Sequence, residues 1–113
     1  MTSYLKDFQR DGYLAPIPVI DSTEAAEHRR QLESVESEMG SMHYQFKVHN
    51  VMRSPYELAT HTALLDVVEQ LLGPDIMLYS TSFIIKEPHT KTHVSWHQDL
   101  TYWGLSSDEQ VSA

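Results

Sequence analysis

Residues 76–86 (IMLYSTSFIIK) decide the fold class that the sequence predicts. The stretch is rich in β-branched and aromatic residues and contains no helix breaker and no helical repeat of apolar positions. It therefore predicts a long strand that is buried at least partly on both faces. A second strand is expected over residues 94–102, after an interruption at Glu87-Pro88 and a polar loop.

The region before this strand is predicted to be mainly helical. Apolar residues that recur every three or four positions predict helices over residues 4–10, 22–39 and 54–72. Residues 13–20 contain two prolines and predict an edge strand or an extended connector, and residues 43–51 predict a short strand. The order describes an α+β domain, with a helical region in about residues 1–73 and a sheet that begins at about residue 76.

Composition excludes several classes of protein. The 113 residues include eight Lys and Arg against sixteen Asp and Glu, which gives a formal charge of −8, and no cysteine. An acidic chain without a basic cluster is a poor electrostatic match for nucleic acid or for an anionic membrane. The lack of cysteine excludes disulfides and thiolate ligands. The first residues lack the apolar core of a signal peptide, which predicts a cytoplasmic location.

His97 and Asp99 form the candidate metal site, in the segment Trp96-His97-Gln98-Asp99. Residues two apart in a strand project on the same side, so this imidazole and this carboxylate can reach one ion. They would supply two ligands of the 2-His-1-carboxylate triad that holds Fe(II) in non-haem oxygenases. The pair could also be a plain hydrogen bond at a strand end, and the spacing alone leaves both interpretations open.

A zinc site made of three histidines is another interpretation of the same region. His89, His93 and His97 are spaced four apart, which would place them on one face of a helix. Pro88 and the β-branched residues between the histidines disfavour a helix. In a strand, each step of four residues separates the side chains by about 13 Å, which is too far for one ion. The sequence therefore disfavours this site.

The context of His97 comprises residues 83–88 (FIIKEP) and 96–103 (WHQDLTYW), and upstream residues 46–50 (FKVHN) and 72–76 (LGPDI). This pattern resembles the N-terminal half of the phytanoyl-CoA dioxygenase family, including its first metal-binding segment. It implies an Fe(II)- and 2-oxoglutarate-dependent oxygenase on a double-stranded β-helix, the jelly-roll fold of cupins. A small-molecule substrate and O2 are the implied partners. Related halogenases carry a small residue in place of Asp99, so its presence implies hydroxylation.

The resemblance also implies roles for individual residues. His97 and Asp99 would bind the iron, Lys47 would contact 2-oxoglutarate, and Ser82 would line the same pocket. A lysine suits a dianionic co-substrate, although Lys47 could equally be a solvated strand residue. Lys86 is a weaker competitor for the role of Lys47.

Residues close to the metal segment have less specific expectations. Trp96 is expected to pack in the core, and Gln98 to form a hydrogen bond behind the metal or to have no role. Tyr102 and Trp103 are expected either to wall the substrate site or to belong to the core. Nothing in the sequence identifies the substrate.

The triad is incomplete within these residues. In the family, a second histidine lies far downstream and is followed by an arginine that pairs with the distal carboxylate of 2-oxoglutarate. Residues 110–113 read as the opening of a strand, and three or four strands cannot close a barrel. The chain is therefore predicted to be the N-terminal part of a single oxygenase domain and inactive alone. The alternative is a non-catalytic α+β interaction module in which His97 and Asp99 are structural.

Overall fold

The computed structural model describes residues 4–113, which are built mainly from helices. Four α-helices and two 3₁₀ turns follow in the order α1 (Tyr4–Asp11), α2 (Ser22–Met39), a first 3₁₀ turn (Val48–Asn50), α3 (Arg53–Ala59), α4 (Thr62–Leu72) and a second 3₁₀ turn (Asp99–Tyr102). Helix α1 packs on α4, α3 packs on the first 3₁₀ turn, and α2 contacts α3. Within residues 4–113 no helix has the length and apolar character needed to cross a membrane.

The predicted helix over residues 22–39 is confirmed as α2, together with its cap. The Asp21 carboxylate accepts hydrogen bonds from the backbone N–H groups of Thr23 and Glu24, both at 2.8 Å. The Glu24 carboxylate in turn accepts from the Asp21 N–H at 3.0 Å, which completes a capping box. Gly40 ends the helix with a φ of +84°, a conformation that favours glycine.

The single helix expected over residues 54–72 is two helices in the structure, α3 and α4. The Thr60 hydroxyl donates to the Tyr56 carbonyl at 2.7 Å, in the last turn of α3. The next residue, His61, has extended dihedrals, and its Nδ1 accepts from the Ala63 N–H at 3.2 Å as the N-cap of α4. The prediction was wrong because these two polar side chains bond to the backbone locally and so divide an otherwise continuous apolar stripe.

The strands expected over residues 43–51 and 76–86 are likewise not formed. Their only pairing in the described residues is two isolated bridges, parallel between His43 and Phe83 and antiparallel between Phe46 and Ser82. Tyr44 and Lys47 have φ values of +57° and +54°. A strand ladder needs extended dihedrals at successive residues, so two left-handed residues in one segment prevent a continuous ladder.

The strand expected over residues 94–102 is also corrected. Its second half forms the 3₁₀ turn Asp99–Tyr102, in which the Thr101 N–H donates to the Gln98 carbonyl at 3.3 Å. These backbone groups therefore bond locally rather than across a sheet. Residues 110–113, expected to open a strand, have no ladder partner among the described residues. Helices from the α+β prediction are confirmed, and its sheet is not formed in residues 4–113.

Few side chains are buried. Among the described residues, the buried apolar side chains are Met42, Val48, Pro55 and Val67, and the most deeply buried polar side chain is Ser54, which is 2% exposed. The Ser54 hydroxyl lies 2.8 Å from Nδ1 of His28 and so joins α3 to α2. Ser54 lies within the first turn of α3, and Met52 occupies the position before the first helical residue.

Replacing Ser54 with alanine tests the importance of this contact. We expect Ser54→Ala to lower the free energy of unfolding by about 1 to 2 kcal/mol, because it leaves the His28 ring nitrogen without its partner at a part-buried site. Urea denaturation followed by circular dichroism measures the loss. Ser34→Ala, at an exposed position of α2, is the control. Equal midpoints for the two variants would contradict the assignment.

Candidate metal centre

His97 and Asp99 come together at the start of the second 3₁₀ turn. Nε2 of His97 lies 2.9 Å from Oδ1 of Asp99. Two adjacent ligands of an octahedral ion, each about 2.1 Å from the metal, are about 3.0 Å apart. The donor atoms are thus spaced as two ligands of one ion, and an imidazole nitrogen with a carboxylate oxygen is a donor set that suits Fe(II).

The other ring nitrogen fixes the orientation of His97. Nδ1 lies 2.6 Å from the Ser95 carbonyl oxygen, which can only accept, so Nδ1 carries the hydrogen. Nε2, the other ring nitrogen, faces Asp99. The Ser95 carbonyl and the Asp99 carboxylate raise the pKa of His97 above its ordinary value, since each stabilises the protonated ring.

Ser112 is a member of this site that the sequence does not reveal. Its hydroxyl donates to Oδ2 of Asp99 at 2.5 Å, on the carboxylate oxygen that His97 does not contact. The amide of Gln110 donates to the same hydroxyl at 2.9 Å. Residues 110–113 have only a weak strand pattern, and Ser112 lies thirteen positions after Asp99. No local signal could have linked them.

Lys47 is exposed and connects indirectly to the metal segment. Its ammonium nitrogen lies 6.0 Å from the centre of the Tyr79 ring. The Tyr79 ring stacks on Trp103, with centroids 4.6 Å apart and planes inclined by 19°. Trp103 directly follows the 3₁₀ turn that begins at Asp99. A cation over one face of an aromatic pair therefore links Lys47 to the backbone of the candidate metal centre.

Ser82 lies beside Lys47 but outside the Asp99 network. It pairs with Phe46 through an antiparallel bridge, and its side chain is exposed. The structure thus brings Lys47 and Ser82 onto neighbouring segments. Within the described residues, neither of them takes part in the hydrogen bonds of His97 and Asp99.

Lys86 and His93 belong to a different part of the surface. Both line a cleft of about 320 Å³ that is also bordered by His43 and Tyr44. In the chain from residue 4 onward, no three His, Cys, Asp or Glu side chains converge as a metal site. The structure therefore gathers neither three histidines for zinc nor a third ligand beside His97 and Asp99 among these residues.

The aromatic residues near the site differ in how exposed they are, and one of them, Trp96, is not where the sequence predicts it. Trp96 is fully exposed, so the expected core packing is wrong. The backbone bends at Trp96 just before His97 turns toward Asp99, which directs the indole outward. Tyr102 is also exposed, whereas Trp103 is half-buried against Tyr79.

A largely apolar cavity of about 660 Å³ adjoins Asp99. Its walls come from α1, α4, the connector that follows α1, and residues 98–100 and 108–113. A volume of this size lies in the range of small-molecule sites. Asp99 lines the cavity, and its carboxylate oxygen and the nearby imidazole nitrogen of His97 form a donor pair of the kind that mononuclear non-haem metal enzymes use.

Comparison with known proteins defines the family. The family model described as phytanoyl-CoA dioxygenase matches residues 8–113, and the chain therefore belongs to the phytanoyl-CoA dioxygenase family. The chain is also similar to the ectoine dioxygenase of Streptomyces coelicolor, with 24% identity over 113 residues. That alignment covers 88% of this chain but 38% of the relative, so the chain spans well under half of the relative's length. No solved structure matches the chain.

The hydrogen bonds of His97 can be tested by NMR. We expect a histidine titration of the metal-free protein to give His97 a pKa above the ordinary value, and Asp99→Asn to lower it only in part, because the Ser95 carbonyl remains. With a raised folded-state pKa, the stabilisation from this ring is present below the ordinary pKa and is lost as pH rises through the raised one.

The control for this titration is Asp108→Asn. Asp108 is an exposed carboxylate near the same cavity, and it does not bond to His97 in the described structure. We expect it to leave the His97 titration unchanged. A titration that Asp99→Asn also leaves unchanged would contradict the contact between the two side chains.

Proposed function

We propose that this chain is part of an Fe(II)- and 2-oxoglutarate-dependent dioxygenase that hydroxylates a small organic molecule with O2. The observation that carries the proposal is the 2.9 Å approach of His97 Nε2 to Asp99 Oδ1, inside a chain that belongs to this family. The similarity to an ectoine dioxygenase supports the same reaction class. Ectoine is accordingly the first small molecule to test as a substrate.

His97 and Asp99 would hold the iron, with the Ser95 carbonyl keeping Nε2 directed toward it. Bound Fe(II) would supply O2 activation coupled to the oxidative decarboxylation of 2-oxoglutarate. Lys47 would neutralise a carboxylate of 2-oxoglutarate, and the neighbouring Ser82 would line the same pocket. The apolar walls beside Asp99 would accept the carbon skeleton of the substrate.

We further propose that residues 1–113 are the N-terminal part of a single jelly-roll domain. The helical region would occupy about residues 1–73, and the first segments of the barrel about residues 76–113. These barrel segments would form paired strands once the remaining strands of the domain are present. A second histidine and an arginine would come from later residues. The 38% coverage of the ectoine dioxygenase supports this division, as does the absence of a third converging ligand in residues 4–113. We keep a cytoplasmic location as a prediction.

The alternative is a non-catalytic interaction module in which His97 and Asp99 only stabilise a turn. Phe46, Met77 and Trp96 are among the highly exposed large side chains and could contribute to such a surface. The two proposals differ in what they predict for iron. The dioxygenase proposal requires His97 and Asp99 to bind Fe(II), whereas the interaction module requires only the hydrogen bond between them.

Replacing the two metal ligands separates these proposals. In the full-length protein, we expect His97→Ala and Asp99→Ala to reduce Fe(II) affinity by at least about 100-fold and to abolish 2-oxoglutarate decarboxylation, since each removes a ligand. Anaerobic titration calorimetry and succinate release measure the two effects. His93→Ala, in the other cleft, is the matched control. Unchanged iron binding in both ligand variants would favour the interaction module. Robust turnover by the 113 residues alone would contradict the proposed division of the domain.

Lys47 and Lys86 can be compared directly. We expect Lys47→Met to raise the KM for 2-oxoglutarate by about 10- to 100-fold, because a charge-assisted hydrogen bond contributes about 1.5 to 3 kcal/mol. We expect Lys86→Met to leave it unchanged, since Lys86 lines a different cleft. Steady-state kinetics at saturating substrate measures both. The opposite result would assign the co-substrate to Lys86.

A further inference from the structure

We propose that Ser112 is a positioning residue for Asp99. Its hydroxyl would hold one carboxylate oxygen so that the other oxygen faces the same point as His97. The inference rests on the proposed function, because the metal is what Asp99 would be positioned to bind.

Each oxygen of the Asp99 carboxylate has a polar contact, and the two contacts come from different segments. Oδ1 lies 2.9 Å from His97 Nε2, and Oδ2 lies 2.5 Å from the Ser112 hydroxyl. A short bond from a hydroxyl to an ionised carboxylate is among the stronger hydrogen bonds in proteins. The plane of the carboxylate is therefore set by one contact on each side.

The Ser112 hydroxyl is itself oriented. The side-chain amide of Gln110 donates to Ser112 Oγ at 2.9 Å, so the oxygen accepts from Gln110 and its own hydrogen points to Asp99. The backbone before Ser112 is held locally, since the Gln110 N–H donates to the Asp108 carbonyl at 2.9 Å. The donor chain runs in one direction, from Gln110 through Ser112 to Asp99.

This arrangement matters because the Asp99 side chain is 35% exposed and could otherwise rotate. A free carboxylate can bind a cation through one oxygen or through both. With Oδ2 held by Ser112, Oδ1 is the oxygen that faces the candidate metal position beside His97. One-oxygen binding leaves more coordination positions for the co-substrate and O2, which a facial triad requires.

The test compares two substitutions of Ser112 in the full-length protein, to threonine and to valine. Threonine and valine have nearly the same shape as each other, but Ser112→Thr keeps the hydroxyl and Ser112→Val removes it. Ser112 is exposed, so both side chains have room. Co(II), used in place of iron, reports affinity by anaerobic calorimetry and ligand geometry by its visible absorption spectrum, without any turnover.

We expect Ser112→Val to weaken Co(II) binding by about 10-fold or more and to alter the spectrum, as losses of partners behind metal ligands do. We expect Ser112→Thr to bind as the wild type does. Ser107→Ala is a control in the same segment. It also removes a serine hydroxyl, but this hydroxyl accepts from the nearby Glu109 N–H at 3.2 Å, whereas the Asp99 carboxylate is bonded by Ser112. Melting temperatures check that all variants fold.

The outcomes separate this inference from the proposed function. If the wild type binds Co(II), and Ser112→Val binds with the same affinity and spectrum, Ser112 does not position Asp99, while the proposed function stands. Equal losses in the Val and Thr variants would also overturn the inference, since shape rather than the hydroxyl would then matter. A wild type that binds no Co(II) would overturn both.

Discussion

Hydrogen bonds between residues 43–49 and 81–85 join the helical half of this protein to the half that carries the candidate metal ligands. The Tyr44 N–H donates to the Phe83 carbonyl at 2.9 Å, and the Ile85 N–H donates to Nδ1 of His43 at 2.8 Å. The His49 N–H and ring both contact the Thr81 hydroxyl, at 3.1 and 2.8 Å. Histidine and threonine side chains thus replace part of a strand ladder. They suit a segment in which left-handed residues prevent continuous backbone pairing.

The same junction determines where Lys47 lies. Val48 is 2% exposed and anchors the segment, while the adjacent Lys47 is left on the surface near Tyr79. The stack of Tyr79 on Trp103 then connects this surface to the turn that begins at Asp99. The Tyr79 ring thereby lies between Lys47, a candidate co-substrate residue, and Trp103, which follows the turn that begins at Asp99.

Sequence patterns predicted the elements whose stabilising contacts are local. Helix α2 followed from Asp21 and Glu24 because a capping box lies within four residues. The apolar stripe over residues 54–72 is visible in the sequence and predicts one helix. The hydrogen bonds of the Thr60 and His61 side chains with the backbone, which divide that helix, are not visible there. The strands fail in the opposite way, because the sequence predicts them and the described residues do not form them. Residues 76–86 have strand composition, but a strand also needs a partner of matching register, and Tyr44 and Lys47 disrupt the one nearby.

The sequence by itself determined the family and the two metal-ligand candidates, because the chemistry of His97 and Asp99 lies two residues apart and the surrounding motif extends along the chain. Only the tertiary structure decided the orientation of those ligands. The contact of Ser112 with Asp99 joins residues thirteen positions apart, and the Lys47 surface depends on Tyr79 and Trp103. Such contacts form only when separate segments pack together, so no local pattern of residue types encodes them.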